Sequence, residues 1–148
     1  MKPLKKLLIL DNKKCHFNYF IENRIEVGIE LIGPEVKSIR CKDVGFNDCY
    51  VDIEDNECYL IGFYIGKYKN THNDIPDTLR KRKLLLSKKE ILKLRQLKDK
   101  KGITLIPLDI YFKGSWVKMN IGVCKGKKLF DKRQDLKKKA IEKDLRNN

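Results

Sequence analysis

Arg24-Ile25-Glu26-Val27-Gly28-Ile29-Glu30-Leu31 decides the fold class of this chain. Ile25, Val27, Ile29 and Leu31 share one parity, while Arg24, Glu26, Gly28 and Glu30 share the other. That is the period-two pattern of a strand with one face on a core and the other in water. Glu26 is therefore expected to point outward. Gly33-Pro34 ends the strand and opens a short helix, because proline suits the first helical position and Glu35 complements the positive end of the helix dipole. In that helix Val36 and Ile39 turn inward, and Lys37 and Arg40 lie three apart on the exposed side.

Outward from this strand the pattern repeats. Tyr50-Val51-Asp52-Ile53, the turn Glu54-Asp55-Asn56-Glu57 and Cys58 to Ile65 read as a hairpin with an aromatic-rich second strand. A polar loop runs from Lys67 to Leu79. Ser87-Lys88-Lys89-Glu90 is a capping box, followed by a helix whose apolar face carries Ile91, Leu94 and Leu97 with Leu92 alongside, and Gly102 is placed to end it. Alternation returns from Ile103 to Phe112, where Pro107 signals an edge or a bulge. After the turn Lys113-Gly114-Ser115, Trp116 to Val123 sets Val117, Met119, Ile121 and Val123 on one face, and Lys118 and Asn120 on the other. About six strands with antiparallel connections predict a mainly β fold: a closed Greek-key barrel of the OB (oligonucleotide-binding) type with peripheral helices, occupying residues 1–124.

The remaining residues, 125–148, read differently. They carry ten Lys or Arg against four Asp or Glu and few apolar residues, so the segment is expected to stay disordered until it meets a polyanion. The whole chain leans the same way, with 34 Lys+Arg, 20 Asp+Glu and a formal net charge of +14. Phosphate neutralisation by such charges is the largest sequence-independent contribution to nucleic-acid binding, which makes RNA the expected partner class. At 148 residues the chain is long enough for one core and its extensions. Five scattered cysteines without a C-x-x-C pair predict reduced thiols, no disulfide framework and no zinc site. The apolar run Leu7-Leu8-Ile9-Leu10 is too short for a signal segment, and nothing approaches a membrane span. The expectation is a cytoplasmic monomer that needs no cofactor and no metal and engages no membrane.

Several segments, in order and spacing, resemble the SsrA-binding protein family, also called small protein B. They are Asn12-Lys13-Lys14 with His16 and Tyr19-Phe20-Ile21-Glu22; Glu26 to Ile29; Gly33 to Arg40; Asp48-Cys49-Tyr50-Val51; Arg82-Lys83-Leu84-Leu85-Leu86; Leu108 to Lys113; and Gly126-Lys127-Lys128 to Asp131-Lys132-Arg133. The resemblance implies an OB-type barrel that binds the tRNA-like part of transfer-messenger RNA and delivers it to ribosomes stalled without a stop codon. It also implies a tail that enters the empty decoding site and messenger channel.

The resemblance further places RNA-binding roles on Glu26, Leu85 and Lys118, and on Lys13, Lys14, His16, Lys37 and Arg40. Without it, Glu26 reads as a surface salt bridge, Leu85 as core packing in an apolar triplet, and Lys37 and Arg40 as a solvated helix face. In the tail, Gly126, Lys127, Lys128, Phe130, Asp131, Lys132 and Arg133 are the expected ribosome-binding residues, with the lysines and Arg133 on phosphates and Phe130 offering a ring for stacking. Leu136, Ala140, Ile141 and Leu145 fall on one helical side, and Asp135–Lys139 and Glu142–Arg146 are supportive pairs, so the tail is expected to become helical on the ribosome.

Two departures from the family pattern stand out. The stretch His72-Asn73-Asp74-Ile75-Pro76-Asp77-Thr78 replaces a compact run before Arg82, and Phe130 stands where a histidine or tyrosine is common. Two other classes compete with the family reading. One is a generic OB-type RNA- or ribosome-binding protein. The other is a small RNA nuclease in which His16 with Lys13 or Lys14 performs acid–base chemistry; against it stand only two histidines and the lack of any phosphate-loop or paired-carboxylate motif.

Overall fold

In a computed structural model of the chain, residues 5–68 and 77–127 are described. The elements in chain order are β1 (Lys6–Asp11), α1 (Lys13–Asn18), β2 (Tyr19–Ile29), α2 (Gly33–Arg40), β3 (Val44–Glu54), β4 (Glu57–Ile65), β5 (Arg82–Leu85), α3 (Lys88–Lys98), β6 (Ile103–Lys113) and β7 (Trp116–Gly126). The fold is mainly β. All strand pairs are antiparallel, and they form one seven-stranded sheet in the order β1-β6-β7-β2-β5-β4-β3.

Two parts of the fold expectation are corrected. The strands number seven rather than about six, and the hydrogen-bonded sheet is not closed into a barrel, since β1 and β3 remain its two edges. The sheet instead curls until β3 lies against β6 without a ladder between them. Gly62 shows one source of the bend. It has φ +84° opposite a register break between Phe46 and Tyr50, and a Cβ there would lie 2.8 Å from the Asn47 carbonyl oxygen. A bulge opposite a glycine strengthens the local twist of a strand pair.

Inside the curl, inward residues of β2 to β7 meet in one core: Val27, Val51, Leu60, Phe63, Leu84, Ile110, Met119 and Ile121, joined by Ile39 from α2 and Leu94 from α3, with Ile9 and Leu10 of the edge strand β1 half-buried against it. The alternation on β2 and β7 holds as expected, as does the bulge at Pro107, placed between Pro107 and Asp109 in an interior strand. The β3–β4 turn has positive φ at both Asp55 and Asn56, the two-residue geometry that matches sheet twist. The Ser87 capping box forms in both directions, the Ser87 hydroxyl accepting from the Glu90 N–H and the Glu90 carboxylate from the Ser87 N–H. Leu94 is buried beneath α3, Ile91 and Leu97 are half-buried, and Leu92 is exposed.

Glu35 has a larger role than facing a helix dipole. It is buried, and accepts from the Ile32 N–H, from Arg80 and from Arg82 Nε at 2.9 Å. Arg82 is itself fully buried and also donates to the carbonyls of Phe63 and Thr78. A charged group survives in a core only when its hydrogen-bonding capacity is met this way. The triad ties α2 to β4, β5 and the segment before it.

Among the described residues no helix is long and apolar enough to cross a membrane, and no group of His, Cys, Asp or Glu is arranged to hold a metal ion. Residues 128–148 and 69–76 lie outside the described residues, and with them Lys128, Phe130, Asp131, Lys132, Arg133, the expected tail helix and His72.

Candidate nucleic-acid interface

Strand parity builds the interface. On β7 the core takes Val117, Met119, Ile121 and Val123, so Trp116, Lys118, Asn120, Gly122 and Cys124 belong to the outer face. Register partners then carry one outer row across five strands: Leu8 on β1, Tyr111 on β6, Lys118 on β7, Gly28 on β2 and Leu85 on β5. Partners in adjacent strands project to the same side of a sheet, so these side chains share one surface.

Lys118 and Leu85 thus flank Gly28, and all three line a groove of about 470 Å³ that also includes Leu31, Val36, Ser115 and Trp116. Leu85, whose apolar triplet alone reads as core packing, is 52 % exposed. Gly28 supplies a floor without a side chain; a Cβ there would meet Leu85 Cδ1 at 3.3 Å. No ion pair to Lys118 occurs among the described residues, so its ammonium remains available to a phosphate.

Glu26 lies one outward step along β2, opposite Asn120. Its carboxylate accepts from the Tyr111 hydroxyl and from Lys113 Nζ at 3.2 Å, with Lys6 Nζ at 3.7 Å. The Tyr111 hydrogen bond, aided by the two lysines, holds the carboxyl below its usual value. Burial, then Glu26 itself, raises the Tyr111 phenol, which keeps it a donor. A carboxylate has about four acceptor sites, so two hydrogen-bond donors, with Lys6 at ion-pair distance only, leave room for a donor from outside. Glu26 is consequently both the hub of a lysine pair and an acceptor with spare capacity.

The second group stands farther along the same face. Asn12 caps α1 by accepting from the Cys15 N–H, while its amide donates to the Pro107 carbonyl at 2.7 Å. Cys15 packs with Ile106, Leu108 and Cys124, the last six residues beyond Lys118 on β7. At about 3.3 Å per residue this puts α1 roughly 20 Å from the groove. Lys13, Lys14 and His16 are exposed on it, with His16 3.6 Å from Asp11. Arg24, register partner of Gly122, lies between the two groups.

The root of the tail joins α1. Lys127 donates its backbone N–H to the Asn18 carbonyl and its ammonium to that of His16, and lies over the Phe20 ring. Gly126 is the last residue of β7. The structure therefore brings Lys13, Lys14, His16, Gly126 and Lys127 together at one end of the face, and Glu26, Leu85 and Lys118 at the other. Lys37 and Arg40 join neither group. Arg40 sits over the Phe112 ring at 4.7 Å and Lys37 over Tyr68 at 5.3 Å, so both cover aromatic rings at the α2 side of the core.

Sequence reasoning passed over Trp116, Tyr111, Lys113 and Lys6. Trp116 is 68 % exposed and shares the outward parity of Lys118 and Asn120, a signal already present in the strand pattern. Lys6 could not be found that way, because its closeness to Glu26 depends on β1 pairing with a strand about a hundred residues later.

A family model described as "SmpB protein" matches residues 9–148. The "SsrA-binding protein" of Borreliella burgdorferi is 49% identical over 138 residues, covering 93% of this chain and 92% of that protein. The protein of the same name from Prochlorococcus marinus (strain MIT 9215) is 50% identical over 139 residues, covering 93% and 85%. A solved structure described as "tmRNA-SmpB: a journey to the center of the bacterial ribosome" is similar with a TM-score of 0.68 at 41% identity, covering 89% of this chain and 93% of that one.

Proposed function

This chain belongs to the SmpB protein family, and from that premise we propose that it binds the tRNA-like domain of transfer-messenger RNA and carries it to stalled ribosomes, so that incomplete proteins are tagged for degradation. The observation that carries this reading is the near full-length likeness to SsrA-binding proteins, over 93% of the chain. The geometry fits it: one outer face presents a groove with Lys118 and Leu85 at one end and a basic helix at the other.

Within this reading the curled sheet is of the OB type, left open along the seam between β3 and β6, and residues 1–124 form its RNA-binding body. Glu26, Leu85 and Lys118 contact the RNA directly, with Lys13, Lys14 and His16 extending the footprint. Lys37 and Arg40 contribute charge at its margin. The segment 125–148, with Gly126, Lys127, Lys128, Phe130, Asp131, Lys132 and Arg133 at its start, reads the ribosome. The protein acts in the cytoplasm as a monomeric binding protein, without catalysis of its own.

Competition binding at physiological salt tests the proposal. The tRNA-like fragment should displace labelled transfer-messenger RNA at far lower concentration than bulk tRNA or random RNA. Equal displacement by all three would leave only a generic RNA binder, and multiple-turnover cleavage of bound RNA would make the protein a nuclease instead.

A further inference from the structure

We propose that the groove between Leu85 and Trp116 takes a single unstacked nucleobase of the bound RNA, with the Trp116 indole stacking on the base and Lys118 on the adjoining phosphate. The inference rests on the RNA-binding reading and names what that site holds.

Three observations carry it. First, the groove has room for a base with its attached sugar: it measures about 470 Å³ and is open to solvent, with bare Gly28 as floor and Leu85 and Trp116 among its walls. Second, Trp116 and Leu85, at 68 % and 52 % exposure, present large apolar surfaces beside each other on a monomer otherwise rich in charge. Such surface is stabilised when a planar apolar partner covers it. Third, among the described residues Lys118 is the only charged one lining the groove, with the Ser115 hydroxyl as the other polar side chain. An aromatic ring, an aliphatic side chain and a lysine with no ion pair among the described residues match the stacking face and phosphate of a nucleotide, and no carboxylate stands among the described lining residues to repel it. The hairpin turn supports this placement, since Gly114 takes φ +63° and Trp116 begins β7 directly after it, on the same face as Lys118.

Trp116 is the chain's one tryptophan, so tryptophan emission, excited selectively beyond the tyrosine absorption, reports on this groove alone. The full chain is titrated with end-labelled tRNA-like RNA, and anisotropy and tryptophan emission are read on the same samples. Quenching in step with anisotropy is expected. Trp116→Ala should weaken binding about 10- to 100-fold and Trp116→Phe only slightly, both with an unchanged salt slope. Single abasic substitutions along the RNA should reveal one position that abolishes the quenching and makes Trp116→Ala neutral. Rising anisotropy with unchanged emission, together with full affinity in Trp116→Ala, would overturn the inference and leave the RNA-binding reading intact. No rise in anisotropy would overturn both.

Discussion

The Tyr111 hydroxyl and the Glu26 carboxylate meet above β7, although their strands are not neighbours in the sheet. Glu26 is the partner of Asn120 and Tyr111 the partner of Lys118, so the bond crosses the intervening strand between the two rows. It locks three strands together beside the groove. Tyr111→Phe should lower stability by about 1 kcal/mol, a usual value for losing one such hydrogen bond. It should also raise the Glu26 pKa, because the Tyr111 bond is the largest cause of its depression. Carboxyl chemical shifts followed through an acid titration check the second effect; an unmoved Glu26 would mean that the lysines hold it by themselves.

Lys118 and Trp116 differ in the kind of contact they offer, and salt separates them. Lys118→Ala should weaken RNA binding and reduce the slope of log K against log salt by about 0.9, one phosphate's worth. Trp116→Ala should leave that slope as it is. Filter binding at four or five salt concentrations distinguishes the two. A parallel shift for Lys118→Ala would show that its ammonium misses phosphate.

The Glu35 triad sets an acid limit on the fold. Burial alone would drive the Glu35 carboxyl upward, but Arg80, the Ile32 N–H and Arg82 more than offset it, and the result lies below the usual value. A depressed carboxyl contributes stability that is fully present above the unfolded value of about 4.3 and is lost as pH falls through the folded value. Glu35→Gln should therefore cost most at neutral pH, with the gap to the parent protein closing in acid. Glu35→Ala, which leaves Arg82 buried without its carboxylate, should cost about 3–5 kcal/mol at pH 7. Urea unfolding at several pH values tests both. A gap independent of pH would show that charge is not the basis of the triad.

Four of the five cysteines are buried and Cys41 is exposed. Burial raises the Cys49 thiol to about 11 and the Cys58 thiol to about 12, so neither supplies thiolate near neutrality. A thiol reagent at pH 7.5 should label one group per chain rapidly and five after denaturation. Fast labelling of two or more native thiols would mean that α1 opens readily over Cys15.

The tail should be separable from the RNA-binding body, provided the cut respects β7. That strand runs to Gly126, and Lys127 is tied by hydrogen bonds to Asn18 and His16. Truncation after Lys127 should keep affinity for the tRNA-like fragment within a few-fold and abolish tagging on stalled ribosomes. Truncation after Val123, which removes the end of the β2–β7 ladder, should also lower thermal stability. Equal loss of binding and tagging in the longer fragment would place the tail within the RNA site.

How far the sequence could be read followed the range of the interactions. Strands β2 and β7, the α3 capping box and the Asp55-Asn56 turn rest on residues within a few positions of one another, and all were legible. Strand β1 was not, because Leu7-Leu8-Ile9-Leu10 does not alternate and its partner strand lies far along the chain. The first half of β3 was hidden by the register break between Phe46 and Tyr50. Helix α1, six residues held by one Asn12 cap, is too short to show a period. Of the candidate site, the outward parity of Glu26 and Lys118 could be read from the pattern, but the joining of Lys118 to Leu85 through Gly28 could not. That union depends on β5 pairing with β2 across 57 positions of sequence.

The eleven-residue β2, laddered to β7 along nearly its whole length, has a mechanical consequence. It works as a gauge rod: with the groove at Gly28 and the tail root at Tyr19, it fixes their spacing at about 30 Å, nine residues of extended chain. A rigid spacing lets a load gripped at one end dictate where the other end begins its reach. Adding two register pairs, two residues to each strand, would lengthen the rod by about 7 Å and keep every side chain on its own face, leaving the chemistry of each end untouched.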